Sequence, residues 1–498
     1  MIYSKEIAEA KNGSKIPLFK NGKPANSKYN PDAEQILFES SPQGCIIVAG
    51  IAGGFHIEKL LNEENISLII AVEADSESLE FCKQFSSVKK ITECNKAILC
   101  DKSDLEKILC TKYFPALYKN LTLVFHRAWK NENPQIAQEI SSTVKNFLEK
   151  VSADYSVQAH LGKIWQRNIL LNLKFISKHK NENFFSANIK KGKIKKTAAI
   201  VAAGPTLDFS IEEIKHGDFF VISTDTAFGT LLQNSIIPDV VINIDAQHIS
   251  SEHFFCTGEE TRTTFVFDLC SNPESVYFIY NKKNKIQFCI NQHPLSLIAT
   301  KNMYVKKIES GAGTVTIAAA DWAKSCGFQK LKFFGADFSY NFGKPYTKGT
   351  YLEKQFFSKS NRLISAEEKH IALMFRTELE KIQGQKNSFT TEVLKRYKKS
   401  LEEWAEKNSF KFKNGIYISE KKIETENFNT KNNFNYSDFH REFTNKIKEL
   451  LKNPEPEVIL KSDWGLSILP ILAFFKNNTL FDSLKLAYNQ ALRYNRRL

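Results

Sequence analysis

The sequence predicts an α/β protein with a central Rossmann-like, mostly parallel sheet domain, preceded by a smaller Rossmann-like domain and followed by a helical C-terminal region. Three observations carry this prediction. The chain has 498 residues, enough for about three domains. Short apolar runs alternate with helical patterns in two successive blocks. The last part is dominated by charged helical patterns. Apolar residues make up 42% of the chain, which excludes a largely disordered protein.

The first block, residues 1–160, is predicted to hold a βαβ unit behind a polar lead. A buried-strand pattern covers 45–49, a glycine-rich turn 50–54, a helix 55–61, and a second strand 68–72 that ends at Glu73. Further strands are predicted over 97–99 and 121–125, and helices over 134–179. The turn at 50–54 with Glu73 imitates a dinucleotide or S-adenosylmethionine site. A Rossmann scaffold without ligand has the same pattern, so no methyltransferase is predicted, and whether this site binds a ligand stays open.

The remaining blocks are a helical and basic linker at 161–196, a central α/β domain at 197–430 and a helical C-terminal region at 431–498. In the central domain the apolar runs predict strands over 198–203, 219–223, 240–244, 264–267 and 331–334. Helices are predicted over 210–215, 227–233 and 314–326, and one short strand within 410–418. Strands that alternate with helices predict a mostly parallel sheet covered on both faces.

The net charge and the cysteines indicate which partners and which cell compartment to expect. The net charge of +14 favours anionic ligands. The lysines are spread along the chain with one short cluster at 190–196, so no specific nucleic-acid binding is expected. The nine cysteines are an odd number without a C-x-x-C pair, which is typical of reduced thiols. No secretory h-region is visible, and the longest apolar run, 466–475, is too short to span a bilayer. We expect a cytoplasmic protein with no membrane partner.

Aspartates follow several strands of the central block. Asp225, Asp245, Asp268 and Asp337 each come just after a predicted strand. Ligands of open parallel sheets lie outside the carboxyl ends of the strands, so these acids are expected at one edge. Carboxylates brought together repel unless they bind hydroxyls or a metal, or one is protonated. The alternative is that each Asp only caps the following helix or turn.

Two glycine-containing turns open helices at the same edge. In Gly204-Pro205-Thr206, glycine lets a phosphate approach the backbone and threonine offers a hydroxyl. The second turn contains Gly311, Gly313 and Thr314. Two such turns in one sheet suit a nucleotide with a second charged group, although neither is a Walker loop.

These motifs, taken in order, carry a family resemblance. They are Ala203-Gly-Pro-Thr-Leu-Asp208, Pro238-Asp-Val-Val-Ile-Asn-Ile-Asp-Ala-Gln247, Gly311-Ala-Gly-Thr314, Gly335-Ala-Asp-Phe-Ser-Tyr340 and Tyr346-Thr-Lys-Gly349. The series resembles the 6-hydroxymethylpterin diphosphokinase MptE-like domain. Its place between a Rossmann-like and a helical region resembles the motility-associated factor (Maf) proteins, which are implicated in glycosylating flagellin with nonulosonic acids and whose central domain is similar to sialyltransferases. Two departures are Ala202, where the family usually has glycine, and Thr206, where it has serine. A third is 413–417, which matches the family's closing loop poorly.

The resemblance implies a cytoplasmic glycosyltransferase that moves a pseudaminic- or legionaminic-type acid from a CMP-sugar donor to Ser or Thr of flagellin. Asp225, Asp245 and His248 would be catalytic, with Asp245 and His248 as candidate bases. The donor would be bound by Gly204, Pro205, Thr206, Gln247, Gly311, Gly313, Thr314, Asp337 and Tyr351.

No resident cofactor is assigned, a requirement for Mg²⁺ is left open, and the oligomeric state is not predicted. His248 and His253 are five residues apart and are not interpreted as a metal pair. Two other functions remain open. One is a diphosphoryl transferase that uses ATP and Mg²⁺ on a pterin-like alcohol, with the edge aspartates as metal ligands. The other is a non-catalytic flagellin-binding chaperone.

Overall fold

The computed structural model describes residues 1–36, 38, 41–179, 182, 184–185, 189, 191–259, 261–309, 313–384, 387–423 and 434–496. The chain folds into two compact units. Unit 1 comprises Met1–Gly162, Glu449–Gly465 and Leu469–Ala487, and unit 2 comprises Lys163–Lys448, Leu466–Ile468 and Tyr488–Leu498.

Unit 1 contains a hairpin and a parallel sheet. Its strands are β1 (Tyr3–Glu9), β2 (Lys15–Phe19), β3 (Gly44–Ala49), β4 (Ile66–Glu73), β5 (Ala97–Asp101) and β6 (Leu121–Phe125). β1 and β2 pair antiparallel, and the other four form a parallel sheet of order β5-β4-β3-β6. The four strands predicted in this block are confirmed. The hairpin was not predicted, because charged residues interrupt the alternation of its buried residues Tyr3, Ile16 and Phe19.

The helices of unit 1 cover its sheet. They are α1 (Phe55–Leu60), α2 (Ser76–Cys82), α3 (Ser86–Glu93), α4 (Leu105–Lys112), α5 (Pro115–Tyr118) and α6 (Arg127–Glu132), with a 3-10 turn at Pro31–Ala33. A single 45-residue helix, α7 (Pro134–Lys178), follows where several amphipathic segments were predicted. Proline occurs only at its first residue, where the missing N–H leaves no hydrogen bond unmade.

Unit 2 is built on an eight-stranded sheet. The strands of this unit are β7 (Thr197–Val201), β8 (Phe219–Thr224), β9 (Val240–Asn243), β10 (Thr264–Asp268), β11 (Lys285–Cys289), β12 (Lys330–Phe334), β13 (Tyr340–Asn341), β14 (Glu380–Lys381), β15 (Ser388–Thr390), β16 (Phe410–Lys413) and β17 (Ile416–Ser419). The main sheet has the order β11-β10-β9-β8-β7-β12-β17-β16, and β13-β15-β14 form a small separate sheet. β7 to β12 run parallel, which confirms the predicted mostly parallel sheet.

Two details of the main sheet differ from the sequence prediction. β11 was missed because only alternate residues of Lys285–Cys289 are apolar at its start. The segment predicted as one strand within 410–418 is a hairpin, whose second strand pairs antiparallel with β12. Gly415 has a φ of +77° in the turn of this hairpin, a conformation that glycine adopts without strain.

Helices of unit 2 lie on both faces of the sheet. They are α8 (Lys191–Ile194), α9 (Ile211–His216), α10 (Asp225–Gln233), α11 (Pro273–Asn281), α12 (Pro294–Ala299), α13 (Val315–Ser325), α14 (Tyr351–Ser358), α15 (Ala366–Met374), α16 (Glu392–Lys407) and α17 (Tyr436–Leu450), with 3-10 helices at Pro205–Phe209 and His248–Phe254. Along β7, Ala198 and Ile200 join one hydrophobic cluster while Ala199 and Val201 join another. The strand is therefore buried on both faces, as parallel sheets require.

The last described helices are α18 (Pro456–Leu460), α19 (Asp463–Ser467), α20 (Leu469–Phe474) and α21 (Leu480–Arg496). All nine cysteines are unbridged, and six of them are buried. Among the helices that the structure describes, none combines the length and apolarity needed to cross a bilayer.

Candidate functional site

The order of the main sheet places a switch point between β7 and β12. Strands β8 to β11 follow β7 on one side, and β12 returns on the other. Such a reversal opens a crevice at the carboxyl ends of the strands. Here two turns meet: the Gly204 amide donates to the Gly335 carbonyl at 2.8 Å. A Cβ on Gly204 would lie 2.5 Å from that oxygen, so the close approach requires glycine.

Thr206 and Asp337 clamp this crevice. The Thr206 amide donates to Asp337 Oδ2 at 2.9 Å, the Thr206 hydroxyl donates to Asp337 Oδ1, and Asn341 Nδ2 donates to Oδ2 at 3.1 Å. Both donors of Thr206 are thus directed at a carboxylate of the same chain. This geometry makes the pair a brace between the ends of β7 and β12.

Replacing Thr206 with Val tests the brace. The change keeps the shape but removes the hydroxyl donor to a charged acceptor, so we expect the free energy of unfolding to fall by about 1.5 kcal/mol. Chemical denaturation measures it. Ser210→Ala is the matched control, because its hydroxyl makes only a 3.5 Å contact to the Thr206 carbonyl. An equal loss in the control variant would contradict the brace.

The next pair of strands carries a buried aspartate. Asp225 begins α10 directly after β8 and is 2% exposed. Its Oδ1 accepts from the Thr226 amide at 2.6 Å and its Oδ2 from Asn243 Nδ2, at the end of β9, at 2.7 Å. Asp225 is therefore held rigidly at the carboxyl edge.

Asp245 follows β9 at the same edge. Its Oδ1 accepts from the Gln247 amide at 2.9 Å, while the side chain keeps partial exposure. Burial raises the pKa of Asp245, and the nearby carboxylate of Asp225 raises it further. The two acids thus sit close enough to interact, as the sequence predicted for acids at one edge.

A cavity of about 410 Å³ opens beside Asp225. Its walls come from α10, the 3-10 helix His248–Phe254 and α14, and they include Asp225, Thr226, Glu252, His253, Cys256, Gly349, Tyr351 and Lys354. The His253 and Tyr351 rings meet edge to face with centroids 4.2 Å apart. Burial raises the pKa of Tyr351 well above its usual range, and Tyr346, Glu252, Asp225 and Asp245 add to the shift. The hydroxyl of Tyr351 therefore stays protonated and able to donate.

The loop at 346–349 frames this cavity. The Thr347 amide donates to the Ala203 carbonyl at 2.9 Å, and Asp208 accepts from the Thr347 hydroxyl and, at 3.1 Å, from the Lys348 amide. From the other side the Thr230 hydroxyl donates to the Lys348 carbonyl at 2.6 Å. These bonds tie the loop to both the β7 turn and α10.

The predicted glycine-rich entrance of α13 lies at the same edge. α13 precedes the parallel strand β12, so its N-terminus faces the carboxyl ends of the strands. Thr314 caps the helix by accepting from the Thr316 amide at 3.3 Å. Gly313 lies against Tyr397, and a Cβ at this glycine would be 3.4 Å from the Tyr397 ring. Gly311 lies outside the described residues.

Two predicted site residues face away from the cavity. His248 has a largely exposed side chain, and its Nε2 lies 2.8 Å from Glu274 Oε2. Gln247 is exposed, and its amide serves Asp245. Pro205 is buried at the start of a 3-10 helix. The structure therefore brings Asp225, Asp245 and Tyr351 together but places His248 elsewhere.

The histidine at the cavity is His253, which the sequence analysis considered only as a metal partner of His248. It is 9% exposed, and its Nδ1 has no hydrogen-bond partner in the part of the chain that is described. Lys354 and Cys256 were also missed. No apolar periodicity in the sequence pointed to His253, because it lies in a short 3-10 helix.

The turn at 50–54 in unit 1 differs from a ribose site. Glu73 is fully buried and accepts from Tyr3 Oη at 3.0 Å, the Ile51 amide at 3.0 Å, the Ala74 amide at 2.8 Å and Trp129 Nε1 at 2.7 Å. A Cβ on Gly50 would lie 2.6 Å from the Trp129 ring. The carboxylate that would bind ribose is therefore enclosed by side chains of its own unit.

Comparison with known proteins adds to this geometry. Residues 167–343 match the family described as 6-hydroxymethylpterin diphosphokinase MptE-like. Over these residues, about a third of the chain, the protein is similar to that family. The match covers β7 to β12, and with them the switch point, Asp225, Asp245 and most of the cavity wall.

Two relatives of the chain are uncharacterized proteins of Treponema pallidum (strain Nichols). One is 35% identical over 152 residues, which is 30% of this chain and 54% of that protein. The other is 34% identical over 140 residues, 28% of this chain and 64% of that protein. The chain therefore spans less than two thirds of the length of each.

A solved structure shares the fold. The Maf glycosyltransferase from Magnetospirillum magneticum AMB-1 superposes with a TM-score of 0.58 at 12% identity, covering 100% of this chain and 91% of that one. Together with the MptE-like domain, this match confirms the resemblance predicted from the ordered motifs and the predicted fold class.

Proposed function

We propose that this protein is a cytoplasmic, sialyltransferase-like glycosyltransferase that moves a nonulosonic acid from a CMP-sugar donor to Ser or Thr hydroxyls of flagellin. The observation that carries the proposal is the cavity at the carboxyl edge of the MptE-like sheet, which has Asp225 in its wall and Asp245 close by. The fold shared with a Maf glycosyltransferase supports the reaction class.

The cavity offers groups for the departing phosphate. When the bond between the sugar carbon and the phosphate oxygen breaks, its electron pair stays on the CMP phosphate, and hydrogen-bond donors and positive charge stabilise that oxygen. Tyr351 and Lys354 line the cavity and can donate, whereas the Thr226 hydroxyl donates to Asp225 Oδ1 at 3.0 Å. We assign this task to Tyr351 and Lys354.

The same edge offers a base for the acceptor hydroxyl. The acceptor oxygen attacks the sugar carbon and loses its proton, which needs a nearby group whose pKa approaches the working pH. Burial and Asp225 raise the pKa of Asp245, which is the direction that such a base requires. We therefore assign Asp245 as the base. Asp225, which is held by Asn243, is assigned as the residue that raises the pKa of Asp245.

The direct test is a transfer assay with the purified chain. Flagellin, CMP-pseudaminic acid and CMP-legionaminic acid are combined, and intact flagellin mass and CMP release are followed. An increase in mass by one or more sugar residues, matched by CMP, is the expected result. In cells, flagellin from a deletion strain should lose the glycoforms of the parent strain. Unchanged flagellin in both experiments would contradict the proposal.

One observation favours a second candidate. The matching family is described by a pterin diphosphokinase activity, which transfers a diphosphoryl group from ATP and releases AMP. That reading uses edge aspartates as Mg²⁺ ligands, yet Asp337 is engaged by Thr206 and Asp225 by Asn243. Magnesium-dependent AMP release with a hydroxymethylpterin would support it, whereas CMP release supports the transferase. Flagellin binding without either product would indicate the chaperone alternative.

A further inference from the structure

The parallel sheet of unit 1 has a switch point of its own. In the order β5-β4-β3-β6, β4 follows β3 on one side and β6 lies on the other, so a crevice opens where β3 and β6 end. His126 is the first residue after β6, and the 50–54 turn after β3 leads to His56 in α1. Two histidines thus lie where this fold class binds ligands.

A carboxylate completes the group. One ligand atom from each of Glu34, His56 and His126 lies within 4.8 Å of the others. His126 Nε2 is 3.5 Å from Glu34 Oε2, and the two imidazoles stack with centroids 4.3 Å apart. His56 is 1% and His126 8% exposed. Within the described residues no other group of three His, Cys, Asp or Glu residues converges in this way.

Hydrogen bonds from neighbouring groups orient His56 and Glu34, as is usual for the ligands of a metal ion. His56 Nε2 is 3.0 Å from the Gly50 carbonyl, which can only accept, so Nε2 carries the hydrogen and Nδ1 keeps its lone pair. Glu34 accepts from Asn26 Nδ2 at 2.6 Å and from the Ser27 amide at 2.5 Å. A histidine that donates its other N–H to a carbonyl, beside an anchored carboxylate, is the usual outer shell of a metal site.

The hydrogen bonds of the chain itself leave this cluster incomplete. The Nδ1 atoms of His56 and His126 are buried and have no partner among the described residues. An unpaired buried polar atom destabilises the folded protein, so an ion pair between Glu34 and His126 alone does not account for the arrangement. A cation bound by one nitrogen of each imidazole supplies the partner that His56 Nδ1 lacks.

We propose that Glu34, His56 and His126 bind a divalent transition-metal ion, with Zn²⁺ as the ion that their chemistry suits. Two imidazoles and one carboxylate are a common zinc ligand set that leaves a coordination position open to water or a substrate atom. Zinc–ligand distances of about 2.0–2.2 Å require the three ligand atoms to move closer together when the ion binds. The site lies in unit 1 and is independent of the proposed sugar transfer.

The test is a zinc titration of the full chain after chelator treatment, in competition with a chromophoric chelator. The expected result is one equivalent bound, with affinity about 100-fold lower in His56→Gln and in His126→Gln. His216→Gln is the matched control, because His216 is a largely exposed histidine of unit 2. It should leave the affinity unchanged.

A second measurement keeps the proposal testable if the variants misfold. Cobalt(II) bound to the wild-type chain should show nitrogen and oxygen ligation without the intense charge-transfer bands of thiolate ligands. Absence of a bound equivalent overturns the proposal. So does a thiolate spectrum, which would place the metal on cysteines, or an affinity that both folded glutamine variants retain.

Discussion

Asp245→Asn is expected to lower the rate of sugar transfer by about 10²- to 10⁴-fold, the contribution typical of a positioned general base. The amide keeps an oxygen for the Gln247 amide but cannot take up the acceptor proton. The fold should survive, because Asp245 is only partly buried. Initial rates of CMP release with saturating donor and flagellin measure the effect.

The pH profile separates a base from a residue that only binds. If Asp245 takes the proton, the wild-type rate rises with pH through a pKa that lies above the ordinary aspartate range, in the direction that burial and Asp225 impose. Asp245→Asn should remove this rise. A variant that keeps the same profile and loses only donor affinity would contradict the role as base.

His248→Gln is the matched control on the same loop. His248 and Asp245 were the two candidate bases from the sequence, but His248 is exposed and pairs with Glu274 outside the cavity. Its replacement should change the transfer rate less than about twofold. A loss equal to that of Asp245→Asn would place the base at His248 and show that the acceptor enters from that side.

Much of the fold could be predicted because buried parallel strands are continuous apolar runs. The strands β3, β8 and β10 are such apolar runs, and their sequences predict them directly. The hairpin of β1 and β2 could not be predicted, because the charged residues on its exposed face obscure the pattern of its buried residues. β11 begins with alternating residues at the sheet edge, a pattern too short to separate from a loop.

The edge position of the site was predictable from topology, but the direction of its side chains was not. Asp225 and Asp245 follow neighbouring strands, and this alone places them together. That Asp337 binds Thr206 depends on β12 returning beside β7, a contact across 131 residues of sequence. Whether His248 or His253 faces the cavity depends on the phase of a short 3-10 helix, which no apolar periodicity revealed.

Asp268 is a further residue whose surroundings could not be predicted from the sequence. It follows β10 and was grouped with the other edge acids, yet it is fully buried. Its Oδ1 accepts from the Cys270 amide at 2.6 Å, and its Oδ2 has no partner among the described residues. Burial raises the pKa of Asp268 to about 6, because the charged form has lost water without gaining a cation.

This raised pKa makes stability depend on pH with a definite sign. The folded carboxyl binds its proton more tightly than the unfolded one, whose pKa is about 3.9. Its contribution to stability is therefore fully present below about pH 4, is lost as pH rises through about 6, and stays constant above. A shift of two pKa units corresponds to about 3 kcal/mol.

Asp268→Asn should therefore stabilise the protein by about 2–3 kcal/mol at neutral pH, and by only about 1 kcal/mol near pH 4.5. The amide oxygen still accepts from the Cys270 amide, and a neutral NH₂ replaces the unpartnered oxygen. Urea denaturation of both proteins at pH 4.5 and pH 7 measures the difference. Asp218→Asn is the control, because Asp218 is 81% exposed and its pair with Lys196 contributes little. A variant that is less stable than wild type at pH 7 would mean that the charge of Asp268 is compensated in the folded protein.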